Sequence, residues 1–222
     1  GLRAASGAEP THHAVYSVEQ TDYRMQDGAD TLVVPLVWRS PEGVEVVKRY
    51  TFHRGSYVVD VEHVVTNNSG NDWQGREYRQ LQRTQVAETG QSTFIYTYMG
   101  GVIYSPEEKY EKIKFEEMLE QDLDRTITDG WAAMLQHYFL GALVPGPDTA
   151  EHYYTKALSN ARYVIGIISP TWRTVADGDT GVFSTRLFIG PKLQDEMREV
   201  ATGLELTVDY GLLTVLSQPL FW

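Results

Sequence analysis

The stretch Thr31-Leu32-Val33-Val34-Pro35-Leu36-Val37-Trp38-Arg39, then Ser40-Pro41-Glu42-Gly43, then Val44-Glu45-Val46-Val47-Lys48-Arg49-Tyr50-Thr51-Phe52, decides the fold class. Two runs rich in β-branched and aromatic residues, joined by a Pro-and-Gly turn of hairpin length, read as antiparallel strands. The next run, Ser56 to Val65, alternates: Tyr57, Val59, Val61 and Val65 fall on one face, Asp60 and Glu62 on the other. His63 falls on the apolar face.

Working outward, Asn67-Asn68-Ser69-Gly70-Asn71 is a turn, and Trp73 to Val86 suits a long, partly exposed strand. Ser92 to Met99, Lys112 to Met118, Trp131 to Leu140, Arg162 to Ile168 and Gly181 to Ile189 are further strand candidates. About ten short strands with turns between them predict an all-β fold, a large sandwich of antiparallel sheets. The 222 residues, 42% hydrophobic and 12% aromatic, supply one large core, and the nine prolines and nineteen glycines are scattered without forming a linker. The expected organisation is a flexible segment over residues 1–14, a single sandwich domain over 15–216, and a connection to a following membrane segment over 217–222.

Two helical interruptions stand out. Ser105-Pro106-Glu107-Glu108 carries a capping-box pattern with Pro at the first helical position, which predicts a short helical turn near 106–111 that feeds a strand from Lys112. Pro191 to Thr202 places Leu193, Met197, Val200 and Ala201 on one face, with Gly203 positioned to stop the helix, so an amphipathic helix over 191–202 should lie flat on a sheet.

A net charge of −11, spread along the chain, repels phosphate backbones and disfavours nucleic acid and polybasic membrane attachment. With no cysteine there is no disulfide, thiolate metal site or Cys nucleophile. No run approaches the about 18 consecutive apolar residues of a membrane-crossing helix. The chain opens Gly1-Leu2-Arg3 without an initiator Met or signal-peptide pattern and closes on the apolar Leu212 to Trp222, ending Pro219-Leu220-Phe221-Trp222. Such an ending has the character of an approach to a membrane interface, a final buried strand being the alternative.

Catalytic signatures are sparse: there is no Gly-x-Ser-x-Gly elbow, no Gly-x-Gly-x-x-Gly turn, no phosphate-binding loop and no His-Glu-x-x-His helix. Of the six histidines, His12 and His13 are adjacent and would point to opposite faces of a strand, and His53, His63, His137 and His152 lack ligand spacing, so no metal site is assigned. Glu107 to Asp124 holds eight carboxylates against three lysines but no Asp-x-Asp-x-Asp-Gly loop, and reads as a solvated face. Trp131, His137 and Tyr138 could line a cleft as a carbohydrate platform; aromatic core packing of Trp131, Met134, Leu135, Tyr138 and Phe139 is the preferred reading. No cofactor is implied.

Four segments then read together: Tyr104-Ser105-Pro106-Glu107-Glu108-Lys109-Tyr110-Glu111-Lys112; Gly130-Trp131-Ala132-Ala133-Met134-Leu135-Gln136-His137-Tyr138-Phe139; Phe188-Ile189-Gly190-Pro191-Lys192-Leu193-Gln194-Asp195; and Leu206-Thr207-Val208-Asp209-Tyr210-Gly211 with Ser217-Gln218-Pro219-Leu220-Phe221. In order and spacing they resemble the periplasmic domain of bacterial YidC-type membrane protein insertases, over nearly the whole chain. The resemblance implies a β-supersandwich similar to galactose mutarotases, held in the periplasm at the inner membrane by flanking transmembrane helices. It implies a non-catalytic scaffold and docking surface for Sec translocon subunits and nascent inner-membrane proteins. A carbohydrate-binding or sugar-epimerising protein on the same fold is the alternative. Candidate interaction and orientation residues are Pro191, Leu193, Gln194, Met197 and Val200 on the helix and Asp209, Tyr210 and Gly211 beyond it, expected to brace the sandwich against the following membrane segment.

Overall fold

The computed structural model describes residues 1–85 and 98–208. In chain order these hold β1 (Leu2–Ala4), β2 (Thr31–Arg39), β3 (Val44–His53), β4 (Val58–Asn67), β5 (Trp73–Thr84), β6 (Gly100–Ser105), β7 (Lys109–Ile113), α1 (Phe115–Glu120), β8 (Asp124–Thr128), β9 (Trp131–Leu135), β10 (Phe139–Val144), β11 (Ala150–Leu158), β12 (Arg162–Ile168), β13 (Arg173–Val175), β14 (Thr180–Pro191), α2 (Gln194–Val200) and a 3-10 turn, Leu204–Thr207. The fold is the antiparallel β-sandwich that the alternation predicts. One sheet runs β1-β5-β12-β11-β8, with β13 also on β5; the other runs β2-β3-β4-β14-β10-β9-β6-β7.

The hairpin of β2 and β3 forms with Trp38 opposite Val46 and Leu32 opposite Phe52. β2 is an edge strand, and Val37 exchanges backbone hydrogen bonds of 2.8 and 2.9 Å with Ser17 on its outer side. Pro35, two residues earlier, therefore also turns its backbone outward, where a missing N–H breaks no ladder bond.

Three hydrophobic clusters divide the molecule into layers. Two lie between the sheets: one gathers Ile103, Met134 and Leu143 against Ile127, Tyr153 and Ile165, the other Trp38, Val46 and Phe183 against Leu2, Trp73 and Val175. The third lies on the outer face of the eight-stranded sheet, where Trp131, Leu140 and Phe188 meet Met197 of α2 and Leu204. Strands covered on both faces lose their alternation, so every residue of β6 and of β9 is buried. Gly100-Gly101-Val102-Ile103-Tyr104-Ser105 has no period for that reason, so alternation does not reveal it as a strand.

Several expectations are corrected. Within the segment expected to be flexible over 1–14, residues 2–4 are held: they pair with Gly75–Glu77 and bury Leu2 in the inter-sheet core. The predicted helical turn at 106–111 is a hairpin turn. Ser105 Oγ does accept from the Glu108 N–H at 3.0 Å, as a cap would, but Lys109 takes φ +62° and the chain returns as β7 with Tyr110 opposite Tyr104. The strand expected from Lys112 to Met118 ends at Ile113, and α1 follows because the Lys114 N–H is capped by Glu117 at 3.0 Å and Phe115 and Met118 bury on one side. Trp131 to Leu140 is two strands joined at Gln136, His137 and Tyr138. The helix expected over 191–202 is shorter, since Pro191 still belongs to β14. Of the strand expected over Ser92 to Met99, residues 92–97 lie outside the described residues, and Tyr98 and Met99 belong to no strand.

Candidate docking cleft

At one end of the sandwich the two sheets part. β5 supplies Leu81, Gln82 and Arg83, β9 and its turn supply Met134 and Gln136, and β10 and β14 supply Phe139, Gly141, Ile189 and Pro191. Together with Tyr57 they enclose a cleft of about 530 Å³. Phe139 and Ile189 are exposed there although they sit on the inward-facing register of their strands, two residues from Gly141 and Leu187. Apolar walls with Gln82, Arg83 and Gln136 at the rim suit an amphipathic or extended guest better than a charged one.

Leu81 also lines a second space of about 170 Å³ between the sheets. Its lining is more polar. His63 of β4 faces Glu77 of β5 across the sheets, with Nδ1 3.3 Å from Oε1. An Arg79 guanidinium nitrogen reaches Glu77 at 3.2 Å and donates to Glu151 of β11 at 2.8 Å. All four side chains are buried, His63 to 1% exposure. Burial pushes the His63 imidazole down to about 4 despite the attraction of Glu77, so it is neutral at pH 7. Burial also works against the Glu77 charge, but His63 and Arg79 beside it hold its carboxyl below the ordinary carboxylate range.

The residues singled out from the sequence are distributed differently. Trp131 is 2% exposed on the opposite face of the eight-stranded sheet, stacked on Tyr104 at 5.7 Å, with its Nε1–H donating to the Thr202 carbonyl at 2.9 Å. His137 and Tyr138 touch each other in the β9–β10 turn, Tyr138 being 69% exposed. Trp131 offers no open ring face to a carbohydrate platform, and the expected core packing holds for Trp131, Met134 and Leu135 but not for Tyr138 and Phe139, which are exposed. Pro191 lines the cleft mouth, whereas Met197 is fully buried beneath α2 and Val200 packs beside it. Leu193 is 46% exposed and Gln194 opens α2. Asp209, Tyr210 and Gly211 lie outside the described residues. Gly203 seats the end of α2 against the sheet: at φ +79° it lies where a Cβ would meet the Tyr104 ring at 2.4 Å.

The histidines do not converge. His53 pairs with Asp60 at 2.6 Å on the outer face and His152 lies 3.6 Å from Asp124 at the sheet edge. Among the described residues, no three His, Asp or Glu side chains are grouped to hold a metal ion. Sequence reading missed Leu81, Phe139 and Ile189 as cleft residues, because an apolar residue on an inward register looks the same whether the facing sheet covers it or stands away.

A family model described as the YidC periplasmic domain matches residues 1–222. The chain is 44% identical over 223 residues to "Membrane protein insertase YidC" of Methylococcus capsulatus, covering 100% of this chain and 41% of that protein. It is 45% identical over 223 residues to the protein of the same name from Alkalilimnicola ehrlichii, covering 100% and 40%. The chain thus spans about two fifths of the length of the curated relatives it matches. Among solved structures, the GH36 α-galactosidase AgaA of Geobacillus stearothermophilus shares the fold at a TM-score of 0.58 and 9% identity, covering 90% of this chain and 30% of that one. At that identity the likeness is one of fold alone.

Proposed function

The chain belongs to the YidC periplasmic domain family, and on that premise we propose that it is the scaffold and docking unit of an inner-membrane insertase, receiving extended polypeptide in the cleft between its sheets. Its relatives are named insertases, not enzymes. Insertion moves a polypeptide without making or breaking a covalent bond, so this domain needs no catalytic constellation. The observation that carries the docking reading is the parting of the sheets beyond Leu81 and Gly141, which leaves Phe139 and Ile189 exposed in a mostly apolar cleft. The guests are nascent inner-membrane proteins or a Sec translocon subunit. Apolar side chains of an extended segment would fill the gap, and its main chain would remain hydrated at the rim.

A photoreactive amino acid at Phe139 or Ile189 of the full-length protein tests this. Adducts with a nascent inner-membrane protein halted during insertion, or with a Sec subunit, are expected from both positions. None is expected from Gln74, which is exposed on the outer face of the other sheet. Equal yields at all three positions, or none at Phe139 and Ile189, would overturn the reading.

The second part of the proposal is orientation. The segment from Pro191 to Tyr210 braces the sandwich against the membrane segment that follows. What supports it is the triple attachment of its described part: Met197 buried in the outer cluster, Trp131 bonded to the Thr202 carbonyl, and Gly203 closed onto Tyr104.

A further inference from the structure

We propose that the second space between the sheets, beside Leu81, is a binding site for a small neutral polyhydroxy molecule. Its polar lining includes Lys48, Tyr50, His63, Glu77, Arg79 and Thr185, beside Gly1, His12, Tyr78 and Gln80. Of these, His63, Glu77, Arg79 and Thr185 are more than nine-tenths buried. His63 Nδ1 and Glu77 Oε1 have each other at 3.3 Å, but Nε2 of His63, Nε and one terminal nitrogen of Arg79, and Oγ1 of Thr185 have no hydrogen-bond partner among the described residues. Buried polar atoms are almost always partnered, and four in one small space call for a guest that supplies partners densely.

The chemistry of the wall selects the guest. Lys48 and Arg79 are matched in number by Glu77 and Glu151, both of which Arg79 reaches, and burial pushes the Gly1 amine down to about 5, so a charged guest would leave an unmatched buried charge. The unpartnered set mixes donors on Arg79 with groups on His63 and Thr185 that can donate or accept. A hydroxyl both donates and accepts, and a polyol carries one on nearly every carbon. The volume of about 170 Å³ equals about five or six water molecules, and so fits one compact ring. Val61, Leu81, Leu143 and Leu187 are its apolar lining and suit the C–H faces of such a ring. The inference is independent of polypeptide docking, which uses the cleft lined by Phe139 and Ile189.

The test is calorimetry and saturation-transfer NMR on the full-length protein in lipid nanodiscs, with myo-inositol, D-glucose and glycerol as probes and cyclohexanol as an apolar ring control. Saturable binding of at least one polyol, with cyclohexanol weaker, is expected. Thr185→Val removes one unpartnered hydroxyl at nearly constant volume, so the fold is retained while polyol affinity falls by about five- to tenfold, the value of one hydrogen bond. No saturable binding by any of the three polyols, cyclohexanol binding as well as they do, or an unchanged affinity in the Thr185→Val protein would each overturn the proposal and leave the space to water.

Discussion

His63 shows how one residue can set a property of the whole domain. Alternation along β4 assigned it to the apolar face, and it stands there, but nothing in its neighbourhood in sequence announces that Glu77 and Arg79 will meet it from the other sheet. In the unfolded chain its imidazole titrates near 6.5, whereas in the fold burial holds it at about 4. Between those values the unfolded chain takes up a proton that the folded chain refuses, so the contribution is complete above pH 6.5 and is lost as pH falls towards 4. A shift of that size corresponds to about 3 kcal/mol. Urea unfolding followed from pH 7 to pH 4 should show a decline of up to about that amount, and His63→Gln should flatten it. Glu77 adds a loss of the same sign at lower pH, as it is protonated below the ordinary carboxylate range. An identical slope in the variant would assign the acid sensitivity elsewhere.

At the scale of the element, α2 separates what periodicity can read from what it cannot. A 3.6-residue period put Leu193, Met197, Val200 and Ala201 on one face. Met197, Val200 and Ala201 do pack on the outer cluster, but Leu193 precedes the helix with φ −92° and ψ 110° and is 46% exposed. β14 continues through Pro191, opposite Phe139, so the first helical residue is Gln194 and Leu193 falls outside the helical register. The two side chains should therefore respond differently to truncation. Met197→Ala is expected to cost about 2–5 kcal/mol in chemical denaturation and Leu193→Ala less than about 1 kcal/mol. If the folded fraction of Met197→Ala full-length protein inserts substrate at the normal rate while hydrogen exchange shows α2 released from the sheet, the bracing role of this segment falls.

Over the whole molecule, a buried charged layer lies between the two inter-sheet hydrophobic clusters, and Arg79 neutralises it by serving both Glu77 and Glu151. Arg79→Met would leave two buried carboxylates without their cation and is expected to cost about 3–5 kcal/mol in urea unfolding. Replacing Glu77, Arg79 and Glu151 together by apolar residues of similar volume should restore most of that loss. A triple variant as unstable as Arg79→Met would contradict this account. The sequence by itself determined the β class, the β2–β3 hairpin, the inward face of β4, a helix near the C-terminal end and the family resemblance. Each rests on neighbours a few residues apart, through strand alternation, turn chemistry and helical period, or on the order of short segments. Tertiary structure alone decided that Leu2 pairs with Glu77, that β14 joins β4 to β10, that Trp131 faces α2 instead of a cleft, and where the sheets part around Phe139 and Ile189. Those outcomes depend on which residues distant in sequence close the core together, and an apolar side chain has the same chemistry whether its partner sheet lies against it or stands away.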